Sequence, residues 1–162
     1  MNTKKLVVMS MFVAIAVAGS AFVWFPAGIA RAYPIQHAIN VIAAVLFGPI
    51  PAVTIAFVTG GVRVLTGTGS LLAFPGGMIG ALLAGVLYRM SGRIGFAAAG
   101  EIIGTGVIAS LIAVPYAKLL MGTETAALFF MPPFLVSSIS GAILGVVLVY
   151  RLEKTKAREL LY

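Results

Sequence analysis

Apolar residues run almost without interruption along this chain, and the breaks are prolines, glycines and short clusters of polar or basic residues. Division at those breaks leaves apolar segments near 6–25, 35–49, 51–67, 76–90, 94–118 and 126–150. A helix needs about 20 apolar residues to cross a hydrocarbon core about 30 Å thick, and the segments are of roughly that kind, some of them shorter. The pattern predicts an all-α membrane protein with six transmembrane helices. The second and third segments meet at Gly48-Pro49-Ile50-Pro51, where two prolines must break the helix, so the pair reads as a tight helical hairpin.

Composition agrees with the pattern. The chain has 162 residues, 61% hydrophobic and only 9% charged, far too apolar for an ordinary soluble domain. Six helices consume nearly the whole length, so residues 1–162 read as a single membrane domain without a separate catalytic module. No internal repeat marks the inverted halves of a stand-alone secondary transporter. Lys4 and Lys5 precede an uncharged run from Leu6 to Ala30 that contains Ala16-Val17-Ala18. That run exceeds the roughly 7–15 apolar residues of a signal peptide, so a retained first helix is expected.

The net charge of +7 does not point to nucleic acid, because the basic residues sit at segment ends and not on one face with interleaved aromatics. Topology explains them. Lys4, Lys5, Arg89, Arg93, Arg151, Lys154, Lys156 and Arg158 fall on the side of the termini, and only Arg31 and Lys118 fall opposite. The excess of Lys and Arg predicts that both termini are cytoplasmic.

The chain has no Cys and no Asp. Disulfides, thiolate metal sites, a Walker B carboxylate and an aspartyl-phosphate are therefore excluded, and Glu101, Glu124, Glu153 and Glu159 are the only acids. Gly67-Thr68-Gly69-Ser70 lacks the Gly-Lys-Ser/Thr ending of a phosphate-cradling loop and reads as an ordinary loop. The chain is expected to carry no ATPase, no cofactor and no metal.

Candidate chemistry concentrates where the second segment begins. Gln36, His37, the only histidine, and Asn40 stand there together, and His37 and Asn40 share a face if residues 37 onward are helical. Two readings stand: they cap a helix N-terminus at the interface, or they face a cavity. Aromatic residues reach the same outer level by topology, with Trp24, Phe25 and Tyr33 around the first loop, Phe74 in the third, and Tyr116, Phe129 and Phe130 around the fifth. Singly each fits an interfacial belt; together with the polar cluster they fit an outward-facing pocket for a flat heteroaromatic ligand.

Arg63 and Glu101 are the only full charges expected within the bilayer. Such charges are costly and usually paired or facing water. A structural Arg63–Glu101 ion pair is one reading, and a ligand or proton role the other. Met131-Pro132-Pro133 either interrupts the last helix, freeing carbonyls toward the same cavity, or marks its late start. Ser10, Ala14 and Ala18 recur at four-residue spacing on the first helix, a stripe that admits close approach by an internal neighbour or by a separate protein.

The size, the six helices, the cytoplasmic termini, the small-residue stripe and the outer polar-aromatic pocket resemble the substrate-binding S components of energy-coupling-factor (ECF) transporters. Tyr33-Pro-Ile-Gln-His-Ala-Ile-Asn-Val-Ile-Ala-Ala-Val-Leu-Phe-Gly-Pro49, with Gly69-Ser70-Leu-Leu-Ala-Phe-Pro75-Gly76, is similar to the ThiW family among them. The resemblance extends over essentially the whole chain. It implies uptake of hydroxyethylthiazole, the thiazole precursor of thiamine, with an ECF transmembrane coupling protein and two cytoplasmic ATPases as partners. An Ala-x-x-x-Ala pattern contacts the coupling protein in S components, and Ala14-Ile-Ala-Val-Ala18 matches it. For such a ligand, His37 and Asn40 are the expected main polar contacts. Gln36 is a further one, Trp24, Tyr33 and Tyr116 are aromatic walls, and Arg63 and Glu101 are additional candidates.

Two rival readings remain. A stand-alone ion-coupled carrier or channel would need Arg63, Glu101 or His37 to bind its ion. An intramembrane enzyme would use His37 and Glu101, whose expected depths differ and which no Ser or Asp completes into a catalytic set.

Overall fold

The computed structural model describes residues 3–28, 30–124, 126 and 128–154. Lys156, Arg158 and Glu159, which enter the charge argument, lie outside the described residues. The described elements are α1 (Thr3–Phe22), β1 (Phe25–Ala27), β2 (Ala30–Ala32), α2 (Pro34–Phe47), α3 (Pro49–Leu65), α4 (Ala73–Ser91), α5 (Ile94–Met121) and α6 (Met131–Lys154). The chain is an all-α membrane protein, with one antiparallel two-stranded hairpin that pairs Phe25 with Ala32.

Four helices, α1, α4, α5 and α6, are long and apolar enough to cross a membrane, which makes this a multi-pass membrane protein. The other two are the shorter segments that the sequence also shows: α2 has 14 residues and α3 has 17, about 21 and 26 Å at a rise of 1.5 Å per residue. The shortness of α2 has a physical reason. Every residue from Gln36 to Leu46 is buried, because α4 and α6 pack along it and α1, α3 and α5 complete its surroundings. A helix hydrophobic on all sides and enclosed by protein need not match the thickness of lipid.

The turn between α2 and α3 forms as the two prolines predict. Gly48 takes φ of 83°, and its N–H donates to the carbonyl of Ala44. Pro49 then opens α3, where its fixed φ and missing N–H suit the first turn. The prolines near 132 resolve toward a late start, since α6 begins at Met131 and Pro132 and Pro133 occupy its first turn. The reading of an interrupted helix is set aside.

Within α5, Ile102–Ala109 is wound as a π-helix, and the Ser110 hydroxyl, with one proton to give, stands 2.8 Å from the carbonyls of both Gly106 and Val107. A segment this uniformly apolar carries no phase from which the wider winding could be read. The hairpin was likewise not expected. It packs against α6 and leads into the start of α2, and it is fastened there by the Tyr33 N–H, which donates to Ser137 Oγ of α6 at 2.8 Å.

At the other end lie Lys4, Lys5, Arg89, Arg93, Arg151 and Lys154. Lys5 Nζ sits 5.7 Å from the ring of Phe47, fixing the start of α1 beside the end of α2.

Glycine permits the close contact between α6 and α2. A Cβ on Gly141 would stand 2.6 Å from the carbonyl oxygen of Pro34, so α6 can approach α2 this closely only without a side chain. Gly141→Val is expected to lower stability by about 1–3 kcal/mol through overpacking, read as loss of thermal stability of the purified protein in detergent. Gly95→Ala, where an added Cβ meets nothing within 4 Å, is expected to be neutral or slightly stabilising.

Candidate functional site

A cavity of about 330 Å³ opens under the hairpin, at the low end of the roughly 300–1,000 Å³ of small-molecule sites. Arg31 and Tyr33 border it from the hairpin, Gln36 and His37 from the first turns of α2, and Arg63 from the end of α3. The loop Gly67–Ser70, Gly76 and Gly77 of α4, Thr105 of α5, and Pro133, Phe134 and Ser137 of α6 close the remaining sides.

Pro34 supplies the first residue of α2, and neither Tyr33 nor any side chain caps that terminus. The polar cluster is therefore not a capping device, because its side chains are spent elsewhere. His37 Nδ1 lies 2.6 Å from Glu101 Oε1. Asn40 Nδ2 donates to the same oxygen and to the carbonyl of Gly77, each at 3.1 Å. Thr105 Oγ1 has one proton to give and stands 2.8 Å from the Gly76 carbonyl and 3.1 Å from Glu101 Oε1. Since Glu101 Oε1 is already the acceptor for an amide, the proton it shares with His37 is placed on Nδ1. In the neutral ring this leaves Nε2 as an acceptor.

Glu101 is fully buried, and its Oε2 has no partner. Its neighbour on α4 must be small: a Cβ on Gly80 would fall 2.7 Å from Oε2 and 2.8 Å from Oε1. Contact between His37 and Glu101 overturns the expectation that their depths keep them apart, because the remaining difference is short enough for the side chains to span. Counted from the basic end, His37 is ten residues above Phe47 and Glu101 seven above Ile94, about 15 and 10 Å. The short α2 keeps its first turn low in the bundle.

Arg63 is 2% exposed. It donates through Nη1 to Gln36 Oε1 and through Nη2 to the carbonyl of Thr68 at 3.1 Å. Its guanidinium carbon lies 4.0 Å from the centre of the Tyr33 ring. Among the described residues Arg63 and Glu101 form no ion pair, so that reading is corrected: Glu101 is met by His37 and Asn40, and Arg63 by neutral groups.

Of the other expected residues, Tyr33 borders the cavity, and Asn40 lies beneath it as a support for Glu101. Trp24 is 40% exposed, with the Arg31 guanidinium 3.9 Å from its ring, and it is not among the residues that line the cavity. Tyr116 does not line it either. Sequence reasoning missed Thr105, Phe134, Ser137 and the loop Gly67–Ser70. By sequence the loop is an ordinary one, yet the N–H groups of Thr68 and Gly69 close on the carbonyl of Arg63 and hold it over that side chain. Only their position around the cavity distinguishes these residues.

Ala14 and Ala18 are exposed, together with Ser10, whereas Met9, Ala16 and Ser20 are the residues of α1 turned into the bundle. No internal neighbour covers the small-residue stripe among the described residues.

Two outcomes follow for unfolding of the purified protein in detergent. Glu101→Ala is expected to cost about 1–3 kcal/mol by leaving the donors of His37 and Asn40 unmet, and Glu101→Gln, which keeps an acceptor oxygen, less. Arg63→Ala combined with Glu101→Ala is expected to give the sum of the single losses to within about 0.5 kcal/mol, whereas an ion pair would give a smaller combined loss.

No curated protein matches the chain. A family model described as thiamine-precursor transporter protein (ThiW) matches residues 6–155, nearly the whole length. The match embraces all six helices, the polar first turns of α2, and the Arg63 and Glu101 positions beneath the hairpin. The chain belongs to the ThiW family of thiamine-precursor transporters.

Proposed function

We propose that this chain is the substrate-binding S subunit of an ECF-type importer, and that its cavity takes hydroxyethylthiazole from outside the cell. In this reading all six helices sit in the membrane, both termini are cytoplasmic, and the cavity opens outward. The single observation that supports it best is the position of the cavity. It has a buried polar floor and lies at the end of an apolar bundle opposite the end that carries Lys4, Lys5, Arg89, Arg93, Arg151 and Lys154. Positive charge of that kind marks the cytoplasmic side.

The ligand's ring would lie against Tyr33 and Phe134. His37 Nε2, oriented by Glu101, would accept the proton of the ligand hydroxyl. Gln36, whose amide oxygen is engaged by Arg63, would offer its NH₂ to the ring nitrogen. Asn40 and Thr105 act as positioning residues through Glu101. The chain forms and breaks no bond; ATP hydrolysis by two cytoplasmic ATPases, relayed by a transmembrane coupling protein, would drive release to the inside. The exposed Ala14 and Ala18 form a surface that another helix can approach closely, and this supports α1 as the contact with that coupling protein.

Calorimetry with hydroxyethylthiazole on the purified chain tests the site. His37→Ala is expected to weaken binding at least about tenfold, or about 1.4 kcal/mol, and wild-type affinity in that variant would remove His37 from the site. Ala14→Trp and Ala18→Trp are expected to abolish copurification with the coupling protein and uptake into cells, while ligand binding by the isolated chain persists. Assembly undisturbed in both variants would refute the assignment of α1.

A further inference from the structure

The two buried charged side chains of the bundle are treated unequally. Glu101 has an imidazole and an amide directed at one of its oxygens. Arg63 has no acid. Its contacts are the amide oxygen of Gln36, the carbonyl of Thr68 and the ring of Tyr33, all formally neutral, and its Nε has no partner at all. A guanidinium cannot shed its proton to escape such a site. Taking an ion out of water is costly, and dipoles alone offset the cost less well than an opposite charge.

Among the described residues none offers a counter-charge to Arg63. Glu101 is engaged with His37, and Glu124 forms an exposed pair with Lys118 at 3.2 Å. Glu153 borders a groove with Arg93 and Tyr150 at the far end of the bundle. No carboxylate lines the cavity, whereas a second guanidinium, that of Arg31, stands at its edge. The lining is therefore positive, and the most deeply buried part of that charge belongs to Arg63. A planar, fixed guanidinium suits the paired oxygens of a carboxylate or phosphate.

We infer that the cavity contains an anion subsite at Arg63, and that the ligand form it favours is a heteroaromatic precursor whose side chain ends in a carboxylate or phosphate. The inference rests on the reading of the cavity as a thiamine-precursor site for the ring scaffold alone; the anion subsite follows from Arg63 and its surroundings. The neutral alcohol would leave the charge of Arg63 uncompensated. The loop Gly67–Ser70, held by its N–H groups on the carbonyl of Arg63, sets the guanidinium in place.

The test compares three ligands by calorimetry on the full chain: hydroxyethylthiazole, its phosphate monoester, and 4-methylthiazole-5-acetate. At least one anion is expected to bind about tenfold or more tightly than the alcohol. Whichever anion gains identifies the source of the charge. The advantage is expected to vanish in Arg63→Gln and to persist in part in Arg63→Lys. An alcohol that binds as tightly as both anions, or an advantage that survives Arg63→Gln, overturns the inference and leaves the thiazole reading intact. The wild-type comparison needs no variant, so a failure of Arg63→Gln to fold does not remove the decisive arm. If none of the three binds, the thiazole reading falls, and inorganic phosphate and acetate at constant ionic strength decide the subsite separately. A rise in melting temperature of the wild type that Arg63→Lys reduces upholds it; no rise, or an equal rise in both, overturns it.

Discussion

A carboxyl group sealed from water has to be met by hydrogen-bond donors, and Glu101 draws three helices together to meet that demand. His37 and Asn40 reach it from α2, and Thr105 approaches it one turn along α5 itself. The glycines of α4 give way to it: the carbonyl of Gly77 takes the second amide proton of Asn40, that of Gly76 lies 2.8 Å from Thr105 Oγ1, and Gly80 leaves the space in which the carboxyl sits. In the interior of a membrane protein, where hydrophobic burial does little to select one helix neighbour over another, such polar contacts and close glycine approaches fix which helices meet and at what depth.

The cavity is a consequence of that depth. Because α2 is short and anchored through Glu101, its first turn ends below the level that a full membrane-spanning helix would reach. The space above it is roofed by the hairpin Phe25–Ala32 and walled by the ends of α3 and α6. The residues exposed to the cavity are those the chain would otherwise have no reason to place in an apolar bundle. His37 presents one ring nitrogen to Glu101 and keeps the other available, and Gln36 holds Arg63 with its oxygen and keeps its amide nitrogen. Gln36 and His37 thus line the cavity with one end of each fixed by the protein, the kind of preorganisation that small-molecule recognition uses.

The outside of the bundle follows a different rule. Large apolar side chains such as Leu6, Met11, Phe57, Leu111 and Ile143 are exposed on the helices, as a lipid-facing surface demands. On α1 the exposed face also carries Ser10, Ala14 and Ala18, where a row of small side chains keeps the backbone accessible. The helix least enclosed by the rest of the fold, with 17% of its apolar window buried, is the one that carries this row.

Much of the architecture could be read from the chain because it follows from local chemistry. Uniform apolarity over helical lengths specifies membrane helices, two prolines after a glycine specify the α2–α3 hairpin, and Lys and Arg at segment ends separate the two ends of the bundle. The polar residues Gln36, His37, Asn40, Arg63 and Glu101 were conspicuous for the same reason, being costly in such a chain without partners. Which of them meet was not legible. Glu101 pairs with His37 and not with Arg63 because the length of α2 and the glycines of α4 set the relative depth of helices far apart in sequence. The π-helical turn, the hairpin and the inclusion of Phe134 and the Gly67–Ser70 loop in the cavity were equally hidden. Sequence determined which groups had to be satisfied, since transfer from water is a property of each residue alone; tertiary structure decided what satisfies them, since a hydrogen bond depends on two residues and the distance between them.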